Sequence, residues 1–147
     1  MSVRTAKALW EGTLKEGKGK FEVGSKTLQS AYTFATRFEN EKGTNPEELV
    51  GAAHAACYSM FLSALLSGKN LKPQSIDTTA TVTLEKDEIG PNISSIHLEC
   101  QAQVDGISEE DFLKLTEDAK AKCPISRLYA KGTNITLSAK LLVANLA

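Results

Sequence analysis

From Leu49 to Leu66 the chain runs eighteen residues without a formal charge. That length reaches the lower limit for a membrane-spanning helix, so it forces a choice between two kinds of fold. The run also carries Gly51, His54, Ser59, Ser63 and five alanines, and no strongly basic flank follows it. A helix buried on all sides of a soluble core therefore fits better than a membrane span. Its start is well marked. Asn45 can cap, Pro46 takes the first helical position, and Glu48 three residues after the cap completes a capping-box pattern; Gly68 supplies the stop.

Around that helix, composition narrows the function. A chain of 147 residues suits a single domain spanning 1–147, and no repeat, low-complexity tract or Pro/Ser linker divides it. Seventeen basic residues oppose eighteen acidic ones, without a single-sign block. Phosphate neutralisation needs a basic face, so nucleic acid is a poor partner. Cys57, Cys100 and Cys123 form no Cys-x-x-Cys pair, and the first ten residues carry no apolar signal region. These features lead us to expect a cytoplasmic protein with reduced thiols.

The remaining pattern is that of an α+β fold with mainly antiparallel pairing. Short strands fill the first forty residues, with Lys18-Gly19 and Gly24-Ser25 as turns and Asn40 to Asn45 as a loop. Ser75 to Glu85 alternates, placing Ile76, Thr78, Ala80, Val82 and Leu84 on one side. After Gly90-Pro91-Asn92, Ile96, Leu98, Cys100, Ala102 and Val104 form a second apolar face, which completes an antiparallel hairpin. Ser108 caps a second helix carrying Phe112, Leu115 and Ala119, which stops at Cys123-Pro124. Ile135, Leu137, Ala139 and Leu141 mark a last strand.

Chemistry concentrates on a few side chains. Cys57 lies about eleven residues into the apolar helix, beyond reach of the N-terminal dipole, and burial there would raise its pKa. An inert core cysteine is one reading; a reactive one needs a fixed cation from another segment. Of the three arginines, Arg4, Arg37 and Arg127, Arg37 lies just before the loop feeding the helix. At 100° per residue, Glu48 points away from Cys57, whereas Glu47 and His54 lie about 80° and 60° round on one side. Glu47 can thus look toward the cysteine's side, while Glu48 caps. His54 and Cys57 could be two metal ligands, but a closed site would consume nearly every remaining His and Cys, so His54 reads more simply as a core or interface histidine. Cys100 reads as a small hydrophobe. Cys123, at a helix end before a proline, sits at a flexible boundary where a resolving thiol could move.

The runs TRFENEKGTNPEEL (Thr36 to Leu49) and VGAAHAACYSM (Val50 to Met60) resemble the OsmC/Ohr family, the osmotically inducible protein C and organic hydroperoxide resistance proteins. The likeness extends through ALWEG, SIDTTATVTL and AKCPIS, over nearly the whole chain, and is nearer the OsmC branch. The resemblance implies an intertwined α+β homodimer, with antiparallel sheets wrapped around a long central helix. It implies that Cys57 is the peroxidatic cysteine, Cys123 the resolving cysteine, Arg37 the holder of the thiolate, and Glu47 the residue that orients Arg37. The implied activity is thiol-dependent reduction of organic hydroperoxides, and more weakly of hydrogen peroxide, in oxidative or osmotic stress defence. It proceeds through a Cys57 sulfenic acid and a Cys57–Cys123 disulfide. An external dithiol, with a lipoyl-type dithiol as one option, would reduce that disulfide. No metal or other cofactor, no nucleic acid and no membrane enters that scheme. A non-catalytic, stress-induced ligand-binding dimer is the alternative.

Overall fold

The computed structural model describes residues 1–143, which form two compact units, 1–49 and the remainder. In the first unit, β1 (Ala6–Glu11), β2 (Lys18–Val23) and β3 (Gln29–Tyr32) form an antiparallel sheet in the order β1-β2-β3. Lys18-Gly19 lies inside β2 rather than at a turn; the reversal falls in the preceding segment, where Gly12 takes a φ of 97°. Gly19 is opposite both Trp10 and Tyr32, and a Cβ there would come within 2.6 Å of the tyrosine ring and 2.7 Å of the indole. Glycine is what lets the two aromatic rings close over the strand, with centroids 5.5 Å apart.

A one-turn helix that periodicity does not announce follows at once: α1 (Phe34–Phe38). Thr33 accepts from the Thr36 N–H, and the Thr36 hydroxyl accepts from the Thr33 N–H. This is a capping box with threonine in the place usually held by Glu or Gln, which is why the pattern escapes a sequence reading. The long helix α2 (Pro46–Ser67) then begins and ends as its signals say. Asn45 Oδ1 accepts from the Glu48 N–H at 2.9 Å, while Asn45 Nδ2 donates to the Thr36 carbonyl at 3.2 Å. One side chain therefore caps α2 and holds the end of α1.

The second unit carries the main core. β4 (Pro73–Lys86) and β5 (Pro91–Val104) form the expected hairpin, and Ile96, Leu98, Cys100, Ala102 and Val104 are all buried. The α3 helix (Glu109–Lys122) starts at Ser108, whose hydroxyl accepts from the Asp111 N–H, and buries Phe112, Leu115, Thr116 and Ala119. A second unannounced helix, α4 (Pro124–Tyr129), comes next, then β6 (Asn134–Leu142). The second sheet, ordered β4-β5-β6, is mixed rather than antiparallel throughout, because β6 pairs parallel to β5. A parallel pair needs a crossover of a dozen or more residues, and α3 with α4 supplies it.

By length and composition α2 could cross a membrane. Its buried residues, Gly51, His54, Tyr58, Leu62 and Leu66, recur at three- and four-residue spacing and join the core of the second unit. Tyr58 donates to the Thr116 carbonyl of α3, and Ser59 to the Thr78 hydroxyl of β4. The expectation of burial on every side meets a correction within this chain: Ala52, Ala53, Ala56, Met60 and Ala64 are exposed.

Candidate active site

In the first unit, α1 places Arg37 and the first turn of α2 places Glu47 so that they meet as a fork. Arg37 Nη2 donates to Oε1 at 2.8 Å, and Nε donates to Oε1 and Oε2 at 3.1 and 3.3 Å. The carboxylate side chain is only 12% exposed and the guanidinium 35%. Arg37 also lies 5.0 Å above the Phe38 ring. Two attachments and a stacking face hold this arginine far more rigidly than a solvent-exposed surface pair would. Glu48 takes part in the cap through its backbone, its N–H donating to Asn45 Oδ1, and not through the side-chain half of a capping box.

In the second unit, Cys57 on α2 stands beside Cys123 at the junction of α3 and α4. Burial pushes the Cys57 thiol pKa up. The Ile125 backbone amide opposes that rise, and the neighbouring Cys123 sulfur adds to it. Both cysteines are free, and Cys57 retains partial exposure while Cys123 has none. A partly open thiol beside a closed one suits an attacking thiol followed by a resolving thiol.

Cys123 departs from the flexible boundary that its place before Pro124 suggests. It ends α3 and begins α4 at once: its N–H donates to the Ala119 carbonyl, and its sulfur accepts from the Ser126 N–H at 3.3 Å. Pro124 fits because the first position of a helix needs no N–H. Cys123 Sγ also donates to Ser126 Oγ at 3.1 Å, and that hydroxyl lies 2.7 Å from His54 Nε2. His54 is fully buried, packs edge-on to Tyr129 at 5.3 Å, and leaves Nδ1 without a hydrogen-bond partner among the described residues. The Tyr129 hydroxyl donates to the Val50 carbonyl, and burial first, then Cys57, raises its pKa.

Cys100 is a buried thiol on β5 with a pKa raised by burial, in contact with Thr78 and Tyr58. The structure thus brings Cys57 to Cys123, and Arg37 to Glu47, and leaves Cys100 in the core. Sequence reading misses Ser126, Tyr129 and the Ile125 amide. Only the run AKCPIS flags Ser126, and it gives no sign that the serine meets a histidine 72 residues away.

Two free thiols, one partly exposed and one buried, thus meet where α2 passes the α3–α4 junction of an α+β protein. Among the described residues, no three His, Cys, Asp or Glu gather closely enough to hold a metal ion. A family model described as "OsmC-like protein" matches residues 39–138. The chain is 48% identical over 139 residues to "Peroxiredoxin OsmC" of Escherichia coli, covering 94% of this chain and 96% of that one. It is 30% identical over 129 residues to "Organic hydroperoxide resistance protein-like 1" of Staphylococcus saprophyticus, covering 86% of each. An OsmC-like protein of Vibrio cholerae has the same fold, with a TM-score of 0.77 at 17% identity over 95% of this chain and 99% of that one. This chain belongs to the OsmC family and is a cysteine-based peroxidase.

The buried histidine has a consequence for stability. Burial alone lowers its pKa, so on acidification the unfolded chain takes up a proton at about pH 6.5 before the folded chain does. The stability that neutral His54 contributes is complete above that pH and is lost as pH falls through it toward the folded pKa. Urea unfolding between about pH 7 and 5 should show the wild type losing more stability than His54→Gln. Parallel curves would contradict a buried neutral imidazole.

Proposed function

We propose that this peroxidase reduces organic hydroperoxides, and hydrogen peroxide more slowly, with Cys57 as peroxidatic and Cys123 as resolving thiol. The observation that carries this reading is the partly exposed Cys57 beside the buried Cys123. The Cys57 thiolate attacks the O–O bond, an alcohol leaves, and a sulfenic acid remains on Cys57. Cys123 condenses with it to a disulfide and releases water. An external dithiol, of the lipoyl type in one version of the scheme, then restores both thiols. On α2, Ala53 and Phe61 stand four residues to either side of Cys57, an apolar neighbourhood suited to an alkyl hydroperoxide.

Arg37 supplies the fixed cation that a thiolate with a burial-raised pKa requires, and Glu47 fixes its direction. Lysine keeps the charge but loses the planar fork. Arg37→Lys should therefore slow peroxide reduction by at least about tenfold, on the order of 1.4 kcal/mol of transition-state stabilisation. Glu47→Gln should lose less. An Arg37→Lys variant with unchanged oxidation rate would remove the fork from the mechanism.

The whole chain acts as one domain, and the exposed Ala53, Ala56, Met60 and Ala64 on α2 support a homodimer in which a second copy covers them. Light scattering should give about twice the 15.8 kDa chain mass; a monomer at micromolar concentration would contradict this. Three unpaired thiols favour the reducing cytosol, with no role for membrane or nucleic acid. In a dithiol-coupled assay, Cys57→Ser should abolish consumption of cumene hydroperoxide, whereas Cys100→Ser should retain it. Greater loss on removing Cys100 than on removing Cys123 would overturn the choice of resolving thiol.

A further inference from the structure

We propose that Ser126 and His54 form a proton relay that makes the buried Cys123 thiol nucleophilic when it closes the disulfide onto Cys57. The inference rests on the reading of Cys123 as the resolving thiol and adds two residues to that step. Its basis is a continuous buried chain of hydrogen bonds. Cys123 Sγ donates to Ser126 Oγ at 3.1 Å, and Ser126 Oγ lies 2.7 Å from His54 Nε2. His54, Cys123 and Ser126 are each at most 1% exposed, so bulk water does not reach the thiol proton through this side.

Direction follows from donor arithmetic. Ser126 Oγ accepts the thiol S–H, its own O–H is left to donate, and Nε2 is the acceptor placed to receive it. The Ser126 N–H holds the sulfur at 3.3 Å, and the Tyr129 ring packs edge-on against the imidazole. A buried histidine whose Nδ1 stays unpaired among the described residues is poorly explained by packing or by its own hydrogen bonding. Titratable groups around it are Cys57 on its own helix, Cys123 at the α3–α4 junction and Tyr129 on α4. Burial is the only cause moving its titration, with no carboxylate or cation contributing, and it keeps the imidazole neutral and able to take a proton.

The step balances. Cys123 passes its proton to Ser126 Oγ as Ser126 passes its own to His54 Nε2. The Cys123 thiolate attacks the sulfenyl sulfur of Cys57, the S–S bond forms, and the S–O bond breaks. Hydroxide departs and takes up the proton that His54 releases, leaving as water. Cys57 sulfur is reduced and Cys123 sulfur oxidised, and no further reagent enters.

The test follows one turnover. Reduced protein is mixed with one equivalent of cumene hydroperoxide, then quenched and alkylated at intervals. Mass spectrometry then counts sulfenic acid, trapped by dimedone, and disulfide. In the wild type the closing step should be flat between about pH 7 and 8, because His54 is already neutral. Ser126→Ala and His54→Gln should each close at least about tenfold more slowly, accumulate dimedone-reactive Cys57, and close faster as hydroxide concentration rises. Ser126→Thr, which keeps the hydroxyl, should recover much of the rate. Should Ser126→Ala fail to fold, His54→Gln carries the same comparison. Closure at the wild-type rate in these variants overturns the relay, and so does uniform slowing with an unchanged pH profile. A wild type that consumes peroxide without forming any Cys57–Cys123 disulfide overturns the resolving role itself, and the relay with it.

Discussion

A thiol set into an apolar helix is harder to ionise than one in water, and the surroundings of Cys57 are organised around that penalty. Burial raises its pKa, and the Ile125 amide opposes the rise. That amide is available only because α4 begins at Pro124, directly after Cys123. In the proposed mechanism a fixed cation adds to that compensation, and the candidate, Arg37, is already held by the Glu47 fork and the Phe38 ring. Holding a guanidinium in advance means that little reorganisation is needed when negative charge develops on sulfur.

The second dependency is the α3–α4 junction. One residue, Cys123, ends a helix with its N–H and begins another with its sulfur, so the same contacts that stop α3 fix the Cys123 thiol. A thiol held in that way cannot rely on solvent to remove its proton. The Ser126 and His54 contacts offer an internal route, and they bind the α2 helix to the junction across 72 residues of sequence. Stability and chemistry therefore draw on the same three side chains. Changing His54 should alter both the acid dependence of unfolding and the closing step, although the two rest on different physical causes.

Much of this was legible in the residues. The α2 boundaries followed from Asn45, Pro46 and Gly68, whose capping chemistry is local. The buried face of β5 and the half-buried face of β4 followed from alternation, and helix geometry sets Glu47, which meets Arg37, apart from Glu48. Family resemblance pointed to Cys57, Cys123, Arg37 and Glu47, which periodicity alone could not select. What escaped was short or long-range. The α1 and α4 helices have five and six residues, too few for a hydrophobic period to register. The parallel placement of β6 depends on how a crossover packs, and Ser126 gains meaning only when the fold brings His54 to it.

The proposed mechanism requires Cys57 and Cys123 to act as a redox pair while Cys100 stays a packing residue. Peptide mapping after one equivalent of cumene hydroperoxide measures this directly, since proteolysis under non-reducing conditions separates the three cysteines. The expected product is a single cross-linked species joining the Cys57 and Cys123 peptides, with Cys100 fully alkylated. A cross-link that includes Cys100, or Cys57 oxidised to sulfinic acid while Cys123 remains a free thiol, would contradict it.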